Sequence, residues 1–339
     1  MPHIVDRLMG KDKHKAKDQD EKPVQDKKKY LEPDFVELQA AEFCLRNVPP
    51  PAKCNKVPGD CGEWRMDEPP YRGFEGTITS GIDEGGPAGV TKVVTSEKCE
   101  LSCMRSNLPI MADSCNIEGK EGVYYEVVIR KMEGIIAIGN PNDFIHHTPL
   151  LTWLAVGSAC LPYPGWRFPG WHRLSVGLHL DDFMIYSGDP SRSEPCEQNS
   201  PSSLKIRTGD TIGFGYKFES KGAFFTHKGK ILRELSTEYH YPREKHDLYA
   251  TIGMLGANDF EVNFGTRHFE WKEGNNQAWK VGRGGVGMVG SSSRDRRDTI
   301  LPRDSIDSES PPPWTPLLRT APSVPLNLRQ DFNLPSYEE

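Results

Sequence analysis

Through the middle of the chain, bulky apolar side chains recur at every second position in short runs broken by Gly, Asp, Asn and Pro, which is the period of strands. In Gly209–Tyr216, residues Ile212, Phe214 and Tyr216 alternate with Gly213 and Gly215, so one face is bulky and the other is bare backbone on which something can pack closely. Ala223–Thr226 runs through His227-Lys228-Gly229-Lys230 into Ile231-Leu232, the pattern of two strands joined by a Gly-containing hairpin turn. Ser175–His179 and Phe183–Tyr186 flank Leu180-Asp181-Asp182 as strand, turn and strand. Upstream, Val123, Tyr125, Val127 and Ile129 alternate with Tyr124, Glu126, Val128 and Arg130, which predicts a half-buried strand with one wet face. Ile135–Ile138 is apolar throughout, as a central sandwich strand would be.

Between these runs, Asn140–Pro149, the aromatic-rich Gly157–Trp171 and the Ser- and Pro-rich Ser187–Ser203 read as loops. Glu37–Leu45 has apolar positions at Leu38, Ala41, Phe43 and Leu45, consistent with one or two helical turns. Residues 1–35 form a charged arm with almost nothing to bury, read as disordered; a docking helix at Ile4–Met9 and a nuclear signal at Lys27-Lys28-Lys29 are the alternatives. Past Phe269-Glu270-Trp271 the pattern stops, and residues 281–339, rich in Gly, Ser and Pro, read as a disordered tail. This leaves a folded region over 36–280.

Composition narrows the class. A hydrophobic fraction of 36% in 339 residues is low for a wholly globular chain, in keeping with unfolded ends. The formal net charge of −6 is mild and dispersed, so no nucleic-acid partner is indicated. Eight cysteines are too few for a disulfide scaffold, no apolar run is long enough to span a bilayer, and no secretory leader opens the chain; a soluble, cytoplasmic, reduced protein is expected. No close cysteine pair marks a metal site. Cys99 and Cys103, placed in one strand, would stand roughly 13 Å apart, too far for one zinc ion. No cofactor is expected.

Several of these runs together resemble a known family. Pro169-Gly170-Trp171, Ser175-Val176-Gly177 with its acidic turn, Gly209-Asp210-x-Ile212-Gly213-x-Gly215-Tyr216 and Phe224-Phe225-Thr226-x-x-Gly229 look like the central signature of SPRY domains. Arg105-Ser106-Asn107-x-Pro109-Ile110, Gly122–Val127, Leu248–Gly253 and Val262-Asn263-Phe264-Gly265 resemble its flanking strands, in family order over about 93–265. Within the family the resemblance is to the Ran-binding-protein-M-like group and to fungal adaptors that recruit a WW-containing ubiquitin ligase. It implies an all-β fold, a two-sheet antiparallel sandwich of the concanavalin-like, jelly-roll kind, that binds a protein or peptide across the loops at one end. Those fungal adaptors carry a transmembrane segment, and the Ran-binding-protein-M-like proteins carry helical modules after the SPRY domain; neither is expected here.

On that implication, Trp166, Arg167 and Trp171 are the candidate aromatic and cationic anchors, with Asp181, Asp182 and Phe183 in the turn that follows selecting a cationic group. For Trp171 a place in the sandwich interior is the favoured reading; for Trp166 and Arg167 both readings stay open. In the tail, Leu334-Pro335-x-Tyr337 fits the variant WW ligand that sets a Tyr two residues after a Pro, so a WW-containing HECT ligase is a candidate partner. Glu68-Pro69-Pro70-Tyr71 lacks the spacer residue and is assigned to the fold. A scaffold subunit of a chromatin or signalling complex is an alternative. An enzyme is disfavoured, because no strand offers two same-face carboxylates for glycoside hydrolysis and no Gly-x-Ser-x-Gly elbow is present.

Overall fold

The computed structural model describes residues 35–51, 64–80, 90–112, 115–132, 152–196, 206–235, 246–281 and the backbone of 287–288. The expectations for the N-terminal arm, Ile135–Ile138, Asn140–Pro149 and the tail, including Leu334, Pro335 and Tyr337, lie outside the described residues.

Among the described residues, one α-helix, α1 (Phe35–Asn47), precedes sixteen strands: β1 (Met66–Asp67), β2 (Gly76–Ser80), β3 (Val90–Thr95), β4 (Ser102–Ser106), β5 (Cys115–Asn116), β6 (Gly122–Met132), β7 (Trp153–Cys160), β8 (Ser175–His179), β9 (Met184–Ser187), β10 (Ser193–Pro195), β11 (Thr211–Lys217), β12 (Gly222–His227), β13 (Lys230–Glu234), β14 (Leu248–Leu255), β15 (Asn258–Asn263) and β16 (Gly287–Met288). They form two seven-stranded antiparallel sheets, β1-β4-β14-β7-β8-β9-β10 and β13-β12-β11-β6-β15-β3-β2, with a small β16-β5 ladder apart. The fold is the expected all-β sandwich. Its core holds the inward set of each strand, among them Val156, Leu178, Ile252, Val127, Phe214, Phe225 and Phe260.

The hairpins follow local chemistry. Lys228 and Gly229 both have positive φ, 51° and 66°, as a two-residue turn between β12 and β13 requires. On one flank Arg233 of β13 donates to the Pro195 carbonyl at 2.7 Å and pairs with the Glu194 carboxylate, joining the edge strands of the two sheets.

The bare face of β11 is covered, as its glycines predict. A Cβ on Gly215 would lie 2.1 Å from the Phe224 ring, and one on Gly213 would lie 2.0 Å from the Tyr124 hydroxyl. Over that face lie Phe269, Trp271, Ala278 and Trp279, packed with Tyr124 and Phe224. Ring centroids of 4.7 Å for Tyr124–Trp271 and 4.9 Å for Trp271–Trp279 mark a tight aromatic layer. The strap that carries it, residues 264–281, is held by Glu126: its carboxylate accepts the backbone N–H groups of Glu270 (2.9 Å) and Trp271 (3.0 Å) and the Tyr124 hydroxyl (2.9 Å).

Several local expectations are corrected. The face of β6 read as wet is buried at Tyr124 and Glu126, because a strap remote in sequence lies over it. Gly157–Cys160, read as loop, closes β7, where Gly157 pairs with Gly177. Cys99 sits ahead of β4, not in a strand, although its thiol is buried in the core as Cys103 is buried outside it. The Ser187–Ser203 loop includes the end of β9 and all of β10. In α1 the buried residues are Ala40, Ala41 and Cys44, at helical spacing and continued by Val48 just past its end, while Leu38 and Leu45 face solvent.

Candidate functional site

The outer face of the first sheet is lined by residues that alternate with the core set: Ala155, Gly157 and Ala159 on β7, Gly177 and His179 on β8, Tyr186 on β9, Gly253 and Leu255 on β14. Their small side chains leave room for the segment 161–174, which returns across this face. Phe168 and Trp171 pack there with Ala155 and Leu255. Trp171, His179 and Tyr186 continue the layer, with centroids 5.1 Å and 4.3 Å apart. Backbone bonds pin the segment: the Tyr163 hydroxyl donates to the Phe168 carbonyl at 2.5 Å, and the Ser175 hydroxyl accepts from the Gly170 N–H at 2.9 Å.

This arrangement corrects the expected aromatic surface. Trp166, Arg167, Trp171 and Phe183 are all buried, Arg167 completely. The Arg167 guanidinium lies between two indoles, 5.9 Å from the Trp166 ring and 5.2 Å from that of Trp171, and donates to the Trp171 carbonyl at 3.0 Å. It braces the segment from inside by cation–π contact. Trp171 is interior, but it packs outside the sandwich core, between the sheet and its own loop. Phe183 has a positive φ of 56° and closes the β8–β9 turn into the core. Trp166 is covered by α1 and the residue after it: Ala40, Cys44 and Val48 pack on it, and the Phe43 ring lies tilted with its centroid 6.2 Å away. Arg173 donates to the Val48 carbonyl.

Asp181 and Asp182 stay at the surface, half-buried, in the same turn. Asp182 organises it: Oδ1 accepts the Met184 N–H at 2.9 Å and Oδ2 the Tyr186 hydroxyl at 2.7 Å. Asp181 presents a carboxylate whose Oδ1 is shielded from water and receives no hydrogen bond from the described residues. Burial, and then the charge of Asp182, push the Asp181 carboxyl well above its ordinary range; Asp182 is raised as well, chiefly by burial, with the Tyr186 and Met184 bonds opposing. A carboxyl pair so placed gains when a cation arrives, because each charge is undercompensated. His172 and His179 are both brought down to about 3, mainly by burial, and are therefore neutral near pH 7. Among the described residues no group of three His, Cys, Asp or Glu side chains is placed to hold a metal ion.

The sequence reading put the aromatic segment and the acidic turn together on the loops at one end of the sandwich; in the structure the aromatic segment lies across the outer face of the first sheet, and the acidic turn joins β8 to β9. It missed Tyr186, which joins the two, although its place two residues after Met184 on the outward face of β9 carried the signal. It also missed α1 as the cover of Trp166, for which the local sequence holds no signal.

Residues 123–267 match the model of the SPRY domain. Among curated proteins the chain is similar to a SPRY domain-containing protein of Schizosaccharomyces pombe, 28% identical over 186 residues, covering 55% of this chain and 39% of the relative. It is similar to the protein ssh4 of Aspergillus fumigatus, 26% identical with 49% and 32% covered, and to that of Sclerotinia sclerotiorum, 31% identical with 40% and 24% covered. The chain thus spans two-fifths or less of the length of these relatives. Among solved structures, a human SPRY domain aligns over 51% of this chain and 90% of its own, at 20% identity and a TM-score of 0.36. No described helix is long and apolar enough to cross a membrane.

Proposed function

We propose that this chain, which carries a SPRY domain, is a non-catalytic adaptor that works in the cytoplasm: the loop end of the sandwich binds a protein or peptide ligand, and the tail presents Leu334-Pro335-x-Tyr337 to a WW-containing HECT ubiquitin ligase. The single observation that supports the ligand arm is the β8–β9 turn. Asp181 and Asp182 set two half-buried carboxylates side by side at the surface, next to the Tyr186 hydroxyl. That chemistry favours a Lys or Arg side chain of the ligand, whose charge would neutralise the pair. Trp166, Arg167, Trp171 and Phe183 support this surface from beneath in the state described above. The ligase arm is supported by the tail motif and by the resemblance to fungal adaptors.

The test has two independent arms. A fluorescent peptide covering Gln330–Glu339 is titrated against the WW domains of the host's HECT ligases, with Tyr337→Ala as control. Micromolar binding lost in the control supports the ligase arm; no binding to any WW domain removes it. Separately, partners cross-linked to the full chain are compared with those of Asp181→Lys/Asp182→Lys. A ligand retained by the charge-reversed protein rules out the acidic turn.

A further inference from the structure

We infer that the outer edge of β2 is a dimerisation edge, at which Gly76 and Ile78 pair antiparallel with the same strand of a second copy of this chain, across a twofold axis at Thr77. This pairing involves neither the acidic turn nor the tail motif, and failure of either of those leaves it standing.

Each of the two large sheets has two edges, and three of these four are guarded. β1 is two residues long and ends in Asp67, and β10 is three residues long and ends in Pro195. β13 carries Lys230, Arg233 and Glu234, and its ladder with β12 shifts register between Phe225 and Thr226. Shortness, charge, proline and bulges are the devices that keep an edge from accepting another strand. β2, Gly-Thr-Ile-Thr-Ser, is five residues long and has none of them, and among the described residues no strand lies beyond it.

The register identifies the open backbone groups. The Ser96 N–H donates to the Glu75 carbonyl at 3.0 Å, so Thr77/Val94 and Thr79/Lys92, two and four residues on, are the pairs that exchange hydrogen bonds. The N–H and C=O groups of Gly76 and Ile78 therefore point away from β3. A second β2, set antiparallel with Thr77 opposite the partner's Thr77, brings each Gly76 against the other copy's Ile78, and those groups satisfy one another.

The side chains fit the same register. Ile78 faces inward against the core, while Glu75 and Thr77 are exposed on the outer face with Lys92 and Val94 of β3. Thr77 meets Thr77 on the axis, a favourable cross-strand pair with no charge to repel. Glu75 falls opposite the partner's Thr79, which is itself paired with the partner's Lys92. The carboxylate and the ammonium then start two strand spacings apart, about 10 Å, within the combined reach of the two side chains. Symmetry repeats this opposite-charge pair. Within one copy, the acidic neighbour of Lys92 across β3 is Glu261, whose carboxylate is already taken by Arg130 and Arg267. The charges around β2 thus complement a second copy of β2 in the one register that its open backbone groups select.

Sedimentation equilibrium of the full chain is expected to show a mass that rises from one chain toward two over a series up to about 1 mM, which reaches even a weak interface. A mass of one chain throughout overturns the inference. Thr77→Lys sets like charges face to face on the axis, at a side chain that is exposed in the single copy. It is expected to hold the protein at one chain with an unchanged urea midpoint; a dimer as tight as the parent's overturns the inference. Engineered cysteines read the register. Two Thr77→Cys chains meet with Cα atoms about 4.5 Å apart, inside the range of a disulfide. Thr79→Cys lies on the same face but opposite the partner's Glu75, roughly 13 Å from its own counterpart. Under mild oxidation, with the linkage located by mass spectrometry, Thr77→Cys should cross-link to itself about tenfold faster than Thr79→Cys or better. Equal rates overturn the inference.

Discussion

The Oε1 atom of Glu126 lies 3.0 Å from the backbone nitrogen of Trp271, a residue 145 positions further along the chain. This bond, with its neighbour from Glu270, fixes the strap to the middle of β6 and so holds the aromatic layer over β11 and β12. The SPRY match ends at residue 267, before the strap does.

The strap is therefore expected to be required for stability. Trp271→Ala removes an indole that contacts Tyr124, Phe224 and Trp279 and should destabilise by about 3–5 kcal/mol. A chain ending at residue 267 should unfold at lower urea than one ending at residue 289. The check is the urea midpoint at constant slope; equal midpoints for the two truncations would sink the idea that the strap is integral.

Gly215→Ala should destabilise by about 1–3 kcal/mol, because its Cβ meets a buried ring at 2.1 Å and the strap prevents Phe224 from swinging outward. The same substitution is expected to cost less in the truncated chain, where that barrier is missing. A thermodynamic cycle of the two changes measures the coupling.

Asp181→Asn should raise stability slightly, since it removes a charge that is desolvated, lacks a donor at Oδ1 and repels Asp182. Asp182→Asn should lower it, since the Met184 and Tyr186 bonds are to the carboxylate. Opposite shifts in midpoint temperature are expected, and shifts of the same sign would contradict this account of the turn.

The dependence on pH follows from groups shifted in opposite senses. Burial alone would raise the Asp210 carboxyl, but the bonds from Lys228 and His227 outweigh it and hold the group below its ordinary value. For Glu261, Arg130 and Arg267 do the same. Their stabilisation is complete above about pH 4 and lost as pH falls through the depressed folded values. His172 and His179, neutral in the fold down to about pH 3, take up protons in the unfolded chain first, so they erode stability from the ordinary 6.5 downward. Glu126, raised by burial against its backbone bonds, acts in the other sense and gives back some stability as pH falls. Asp210→Asn should thus be less stable than the parent at pH 7, with the gap closing at acid pH, and the imidazoles of His172 and His179 should show no NMR titration between pH 5 and 8.

What the sequence determined by itself is several of the strands and their turns, though not β10 or the end of β7. Alternation at Ile212–Tyr216, the Lys228-Gly229 turn and the acidic turn before Phe183 are local: period two separates two faces, and a few residues of special backbone set each reversal. The glycine face of β11 even announced that another layer would cover it. Alternation cannot say what that layer is. Tyr124 and Glu126 read as wet because they alternate with core residues, yet a strap more than 140 positions away buries them and needs the carboxylate as its acceptor. For Trp166 and Arg167 the sequence left surface and interior both open, and one lies under a helix from the start of the folded region and the other between two indoles. Only tertiary structure decides such cases, because whether an outward side chain meets water depends on which distant segment packs over it, and that contact leaves no periodic trace in either segment.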